Sequence, residues 1–387
     1  MDKVKVAIIG GAGRIGTYLV RRLSSENTYV PVPIIRDKMA ERFLGDDRKL
    51  ARIGSIIDSD SASRLIGDCE VVINLAFSGS NPNAIDNNIE LVKAITTLRT
   101  VNVIVNVSTI SVYGEPFTTH HMNFEKPKPN SQYGESKLTM ERIVSDALNN
   151  TSSRYFLIRL GAVYGPSQTV STMVFGNVMS PSFKLPFAGD MPSNAVSVES
   201  FVEGVISILN DPPPNGVYNC VEEPQKTWRE IYDLHTSAWK LPRVGSMSYE
   251  SSYLLRKEIR IASGFESLPM QLKLKHSVRY MTHNPFINNQ VSKGIYLKYR
   301  SHIPINIDKR IARSFGKNSS DVINESIAES TLDTPEIPSL LFSDPVPGRN
   351  LPFDSSPCVL NKNISADLWE WFRDQTEFRW DTSSLKT

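Results

Sequence analysis

Val4-Lys5-Val6-Ala7-Ile8-Ile9, followed at once by Gly10-Gly11-Ala12-Gly13-Arg14-Ile15-Gly16, is the stretch that decides the fold. The first six residues form a short apolar run rich in β-branched side chains, the pattern of a buried strand. The next seven are a GxxGxxG turn, and Thr17 to Leu23 beyond them read as helix. Glycines at these points allow a tight turn and close backbone approach. The helix behind them offers N–H groups and the positive end of its dipole to a pyrophosphate. Gly10, Gly13, Arg14, Ile15 and Gly16 are therefore candidate cofactor-binding residues, and the ligand they suit is a dinucleotide. The plainer alternative is a tight turn with no ligand.

Working outward, Val30 to Ile35 reads as a second strand, with Pro31 and Pro33 making its first half irregular. Val71 to Leu75 is a further buried strand, Ala84 to Leu98 a helix, Val101 to Val107 a strand, Gln132 to Leu148 a helix and Tyr155 to Leu160 a strand. Strand and helix alternate from the first residue, which predicts an α/β fold: a doubly wound parallel sheet with helices on both faces. Later, Glu199 to Leu209 reads as helix, Val217 to Val221 as strand, and Thr227-Trp-Arg-Glu230 as a capping box opening a helix to about Trp239.

The end of the second strand normally separates NAD from NADP. An acid there serves the ribose hydroxyls, whereas an arginine accommodates a 2′-phosphate. Here the order is Ile34-Ile35-Arg36-Asp37. Arg36, with Arg14 in the turn, could clamp a phosphate, and Asp37 could instead serve the ribose. The balance leans to NADP and leaves NAD open.

A second constellation lies at Thr109 and at Tyr133-Gly-Glu-Ser-Lys137. On a helix, a tyrosine four residues before a lysine shares a face with it. An ammonium beside a phenol favours the phenolate, so the expectation is a Tyr133 pKa lowered toward neutrality. Such a group can exchange a proton with an alcohol or sugar oxygen, and the Thr109 hydroxyl can hold the same oxygen. Alone, this spacing also describes a surface tyrosine above a solvated lysine.

Taken together these residues resemble the extended short-chain dehydrogenase/reductase family, the NAD-dependent epimerase/dehydratase type, from about Lys3 to Trp239. The motifs that carry the resemblance are the glycine turn, Val71-Val-Ile-Asn74-Leu-Ala76, Asn88, Ser108-Thr109-Ile-Ser-Val-Tyr113-Gly114, Tyr133 with Lys137, and Ile158-Arg159-Leu-Gly-Ala-Val-Tyr164-Gly-Pro166. The resemblance implies a Rossmann-like sheet with a smaller C-terminal substrate lobe and a helical or irregular C-terminal extension. It implies Tyr133 as general acid/base, Thr109 as the catalytic hydroxyl, Lys137 as the ribose ligand that tunes the tyrosine, and Ala76 as a lining of the cofactor groove. There are departures. Ser55 stands where family members often carry an adenine-contacting acid, with Asp58 nearby. Ile110-Ser111 follow the catalytic threonine where sugar dehydratases carry an Asp-Glu pair. A dehydration needs both an acid and a base, so dehydratase is demoted.

The expected organisation is a dinucleotide-binding domain over 1–170 with return segments around 195–225, a substrate lobe over 171–250, a basic helical segment over 251–317 and an acidic tail over 318–387. Thirteen Lys/Arg stand against three acids between Arg256 and Lys317, then five against twelve to the end. The basic stretch 268–317, mixed with apolar residues, suits either peripheral contact with an anionic membrane or a solvated lobe face. A net charge of +2 gives no reason to expect nucleic acid. Three widely spaced cysteines form no metal motif, and His276, His283 and His302 are too irregularly spaced for a helical metal pair. Few cysteines and no leader segment predict a cytoplasmic protein, at most peripheral at the inner membrane face.

The function expected is oxidoreductase or epimerase chemistry at a carbinol or keto carbon of a nucleotide-activated sugar, by hydride transfer. Lys184, Arg229, Arg243 and Arg349 are candidates for its diphosphate. The alternatives are a reductase of a non-sugar small-molecule ketone, or a non-catalytic binding or assembly protein that keeps the fold. A homodimer stays open.

Overall fold

The computed structural model describes residues 3–77, 82–114, 126–129 and 131–252. Seven strands form one parallel sheet: β1 (Val4–Ile9), β2 (Tyr29–Ile35), β3 (Arg52–Ile53), β4 (Val71–Asn74), β5 (Val103–Thr109), β6 (Arg154–Leu160) and, later in the chain, β9 (Gly216–Cys220). Their spatial order is β3-β2-β1-β4-β5-β6-β9. The order reverses between β1 and β4, which opens a crevice at the carboxyl ends of those two strands. A two-stranded parallel sheet joins β7 (Ala162–Tyr164) to β8 (Ala195–Ser197).

Period-two alternation along each strand sorts the core into two layers. Val6 and Ile8 of β1, Val105 and Val107 of β5, and Phe156 and Ile158 of β6 face one layer. It is completed by Leu19, Val20 and Leu23 of α1 (Gly16–Ser24) and by Phe201, Val205 and Ile208 of α6 (Val198–Asn210). Ala7, Ile9, Ile104 and Leu157 face the other, with α2 (Ser59–Ile66), α3 (Pro82–Thr96) and α4 (Gln132–Leu148) supplying Ile66, Val92, Met140 and Val144. The doubly wound arrangement expected from the alternating pattern is present.

The expected irregularity in the first half of β2 is overturned. The strand is continuous from Tyr29, paired with β1 from Val4↔Tyr29 to Ile9↔Ile34. Thr28 and Ile34 carbonyls accept from Val4 and Gly10, so the even-numbered residues face β1. Pro31 and Pro33 are odd-numbered and turn their missing donors the other way. There β3 pairs only with Ile34 and Ile35, so neither proline interrupts a ladder.

The chain divides into two compact units. Among the described residues the first holds 3–179 and 189–244. The helices α5 (Thr169–Val178), α6 and α7 (Trp228–Trp239) group with the sheet. The second unit holds 180–188 and 245–252. Within it Leu185 N–H donates to the Gly245 carbonyl and Met247 N–H to the Leu185 carbonyl, both at 2.9 Å. Phe187 N–H donates to Ser252 Oγ at 2.7 Å. The basic stretch 268–317 and the acidic tail lie outside the described residues, as do His276, His283, His302 and Arg349. Among the described residues no helix is long and apolar enough to cross a membrane.

Candidate active site

The glycine turn stands at the switch point. Gly10 has φ +84°, a left-handed conformation suited to glycine, and a Cβ there would lie 3.2 Å from Ala76 N. A Cβ on Gly16 would lie 2.2 Å from the Gly10 carbonyl oxygen, so α1 can start here only on glycine. Ile15, at the N-cap, makes no side-chain cap, and no acid stands in the first turn. The N-terminus of α1 therefore meets a pyrophosphate with its own N–H groups and no competing carboxylate, and these residues fit a dinucleotide. Ala76 borders the turn from the β4 side, its N–H held by Asn74 Oδ1 at 3.1 Å. Arg14 donates from Nη1 to Thr169 Oγ1 at 2.9 Å and accepts on its carbonyl from Gln168 Nε2 at 3.1 Å. Tyr18 Oη donates to the Pro166 carbonyl at 3.1 Å, so segment 166–169 is strapped to the turn.

Arg36 is exposed directly after β2. Asp37, the competing ribose ligand, caps the 3-10 turn Lys38–Phe43, with Oδ1 accepting from Ala40 N at 3.1 Å. Asp58 is likewise a cap: it accepts from Ser61 N at 2.8 Å and opens α2 in a capping box.

Thr109 ends β5 and is buried, its Oγ1 accepting from Ser111 N at 3.2 Å to start the turn Ile110–Tyr113. Tyr133 lies in the first turn of α4, whose N-cap Ser131 accepts from Gly134 N at 3.1 Å. A Cβ on Gly134 would stand 2.7 Å from the Ser111 carbonyl, so the glycine lets α4 close onto the segment that carries Thr109. The Tyr133 and Thr109 hydroxyls come within hydrogen-bonding reach of each other. Thr109 at the end of β5 and Tyr133 in the first turn of α4, well separated in sequence, thus come together, with Lys137 one turn along the same helix and its ammonium on a β5 carbonyl.

Electrostatically the site differs from expectation. Tyr133 is not lowered toward neutrality; burial raises its pKa, and the bond with Thr109 only partly opposes this. The residue as a whole is 40% exposed, so this burial is partial. Lys137 is buried, and burial lowers its pKa to about 8 against the opposing charge of Glu141. Its ammonium donates to the Val107 carbonyl at 2.8 Å and stands 4.8 Å over the Phe77 ring. The cation is thus directed to a carbonyl and a π-face, which is why it does not depress the phenol as the spacing alone suggests.

A buried polar network behind the trio escaped the sequence reading. Ser108 Oγ donates to Glu141 Oε1, and Glu141 is paired with Arg159 at 2.9 Å, both side chains 4% exposed. Arg159 Nη1 donates to Tyr113 Oη at 3.0 Å, and Tyr113 donates to Asn219 Oδ1 at 2.7 Å. In the sequence Ser108, Tyr113 and Arg159 stand out as motif positions only. The available signal was Glu141 itself, one turn beyond Lys137 on the same helix face. Beside it, Asn74 Nδ2 donates to Asn106 Oδ1 at 2.8 Å across β4 and β5.

Of the diphosphate candidates, Arg243 is held by Asp233 at 2.7 Å and Arg229 donates to the Val244 carbonyl at 2.9 Å, while Lys184 is exposed in the second unit. Among the described residues no cluster of His, Cys, Asp and Glu could hold a metal ion.

The chain is similar to several known proteins. A curated UDP-glucose 4-epimerase of Vibrio cholerae is 24% identical over 231 residues, 54% of this chain and 67% of that protein. A 2'-dehydrokanamycin reductase of Streptomyces kanamyceticus is 28% identical over 168 residues, 42% of this chain and 44% of its own length. Among solved structures, a UDP-glucuronic acid 4-epimerase from Bacillus cereus in complex with NAD superposes with a TM-score of 0.53 at 20% identity, covering 63% of this chain and 86% of that one. A dTDP-glucose 4,6-dehydratase from Bacillus anthracis, also with NAD, gives 0.52 at 20% identity over 64% and 89%. At that identity the structures establish the fold. The model of the NAD dependent epimerase/dehydratase family matches residues 6–220, from the first strand to the last strand of the sheet, and the chain belongs to that family.

Proposed function

We propose that this protein is an NAD(P)-dependent epimerase or ketoreductase acting at one carbinol carbon of a nucleotide-activated sugar. The observation that carries this is the meeting of the Thr109 and Tyr133 hydroxyls beyond β5, with Lys137 one turn along α4 and the glycine turn at the switch point. Thr109 holds the substrate oxygen, Tyr133 gives it a proton or takes one, and Lys137 supplies positive charge from a dry position. When bound, the nicotinamide supplies the hydride donor or acceptor. Gly10, Gly13, Ile15 and Gly16 offer backbone to its pyrophosphate, and Ala76 borders the same groove. Ile110 and Ser111 beside Thr109 bring no carboxylate to protonate a leaving hydroxyl, which sets dehydration behind epimerisation and reduction. The UDP-glucose 4-epimerase relatives support a nucleotide sugar as substrate.

A second reading, reduction of a ketone on a molecule that is not nucleotide-linked, draws on the reductase relative and on the exposed Arg36 beside a capping Asp37. Arg36, with Arg14, suits the 2′-phosphate of NADPH, the usual cofactor of reductions. Titration of the purified full chain with NAD and NADP, followed by turnover with UDP-sugars, tests both. Interconversion of C4 epimers without net cofactor consumption is the expected result. Stoichiometric cofactor oxidation selects the reductase, and failure to bind either dinucleotide would sink both readings.

A further inference from the structure

Phe77 lies just past Leu75 and Ala76 at the end of β4 and is partly buried against the layer that contains α4. Its ring meets the Tyr133 ring edge-on, centroids 4.8 Å apart and planes at 83°. The Lys137 ammonium lies 4.8 Å over the same ring. One aromatic side chain from outside α4 therefore touches two residues that sit one turn apart on that helix. We propose that Phe77 is a positioning residue of this site, holding Tyr133 edge-on and taking the Lys137 cation onto its face.

Aromatic rings prefer edge-to-face contact because the positive rim of one meets the negative face of the other, and a cation over a ring is attracted by the same quadrupole. Both contacts here are of these kinds. The ring thereby does two things to the acid/base pair. It keeps water from the buried side of Tyr133, and it gives the Lys137 ammonium a partner other than the phenol. The other polar and charged groups around the pair are Thr109 and Ser111 at the end of β5, the Val107 carbonyl, Glu141 one turn along α4, and Arg159 of β6, which is paired with Glu141. Among the described residues none of these comes from the β4 side, so there Phe77 is the contact by which that edge of the crevice acts on the pair.

The test needs no substrate, so its failure is distinguishable from failure of the proposed activity. The full chain carrying [ζ-13C]tyrosine is titrated by NMR, with the Tyr133 resonance identified by its loss in Y133F. In Phe77→Leu, which keeps apolar bulk but removes the ring, water and the ammonium both gain access to the phenol. Its titration is expected to move to lower pH by on the order of one unit, the usual size of such environmental effects. Phe77→Tyr keeps the ring and is expected to titrate as wild type. An unmoved Tyr133 titration in Phe77→Leu overturns the proposal. Should that variant not fold, the wild-type chain answers alone: the ε-methylene protons of Lys137, labelled with 13C, are expected upfield from the ring current. An unshifted Lys137 overturns the assignment equally.

Discussion

In the proposed mechanism one oxygen of Tyr133 handles the proton, while its ring packs against Phe77. Tyr133→Phe is therefore expected to lower kcat by about 10²–10⁴-fold with cofactor affinity nearly unchanged, measured by steady-state kinetics beside calorimetric titration. Thr109→Val removes the hydroxyl proposed to position the reacting oxygen and is expected to cost about 10²–10³-fold. Wild-type rates in Tyr133→Phe would remove the acid/base assignment. Arg36→Ala is expected to weaken NADP more than NAD, because a guanidinium pairs with a 2′-phosphate through charge-assisted hydrogen bonds and NAD has no group there. Equal losses in fluorescence titrations with the two cofactors would move the ribose contact to Asp37. These residues stand out in the sequence as candidates because each lies in a local pattern: a turn, a strand end, a YxxxK spacing. Phe77 was not, since nothing local marks a ring that reaches a helix 56 positions further on.

Among the elements, α4 carries most of the candidate site: Tyr133, Lys137 and Glu141 fall at steps of four on one face. Glu141 is the charge that holds the Lys137 pKa up against burial, and it also neutralises Arg159. Glu141→Gln is therefore expected to act twice. Losing the carboxylate lowers the Lys137 pKa from about 8, so the alkaline limb of kcat/KM moves to lower pH. It also leaves Arg159 buried without its partner, a cost of about 3–5 kcal/mol visible as a fall in Tm. A pH profile that keeps its limb despite the lower Tm would show that Glu141 serves the fold alone. Helix α4 itself was legible to the residue, because Ser131 caps it and the apolar period runs unbroken to Leu148. The continuity of β2 was not. Whether a proline breaks a ladder depends on which neighbour its missing N–H faces, and that is set by register between strands.

At the scale of the whole sheet-bearing unit, the alternation of strands and helices made the fold readable, while the packing of α5 and α7 was not, because their ties are long-range. One of them is titratable. His235 of α7 is fully buried, with Nδ1 at 2.7 Å from the Ile231 carbonyl and Nε2 at 2.7 Å from Ser171 Oγ of α5. A carbonyl only accepts, so Nδ1 carries the proton and Nε2 accepts from the serine, which in turn accepts from Gly165 N at 2.9 Å. Gly165 leads into the strap over the glycine turn, so this neutral histidine ties α7 and α5 to the segment that holds Arg14. Protonation would turn Nε2 into a donor and take away the acceptor of the Ser171 proton. Burial lowers the His235 pKa to about 4 from an ordinary 6.5. Between those values the unfolded chain binds a proton that the folded chain refuses, so stability rises with pH across the window. The contribution is complete above about pH 6.5 and is lost as pH falls toward 4, about 3 kcal/mol over the full interval and about 2 kcal/mol by pH 5. Melting curves of wild type and His235→Gln from pH 7 to 4 check this. The variant is expected to start less stable at pH 7, where the Ser171 contact is altered, yet to lose less on acidification. Parallel pH dependences in the two proteins would show that His235 is not the group whose charge the folded unit excludes.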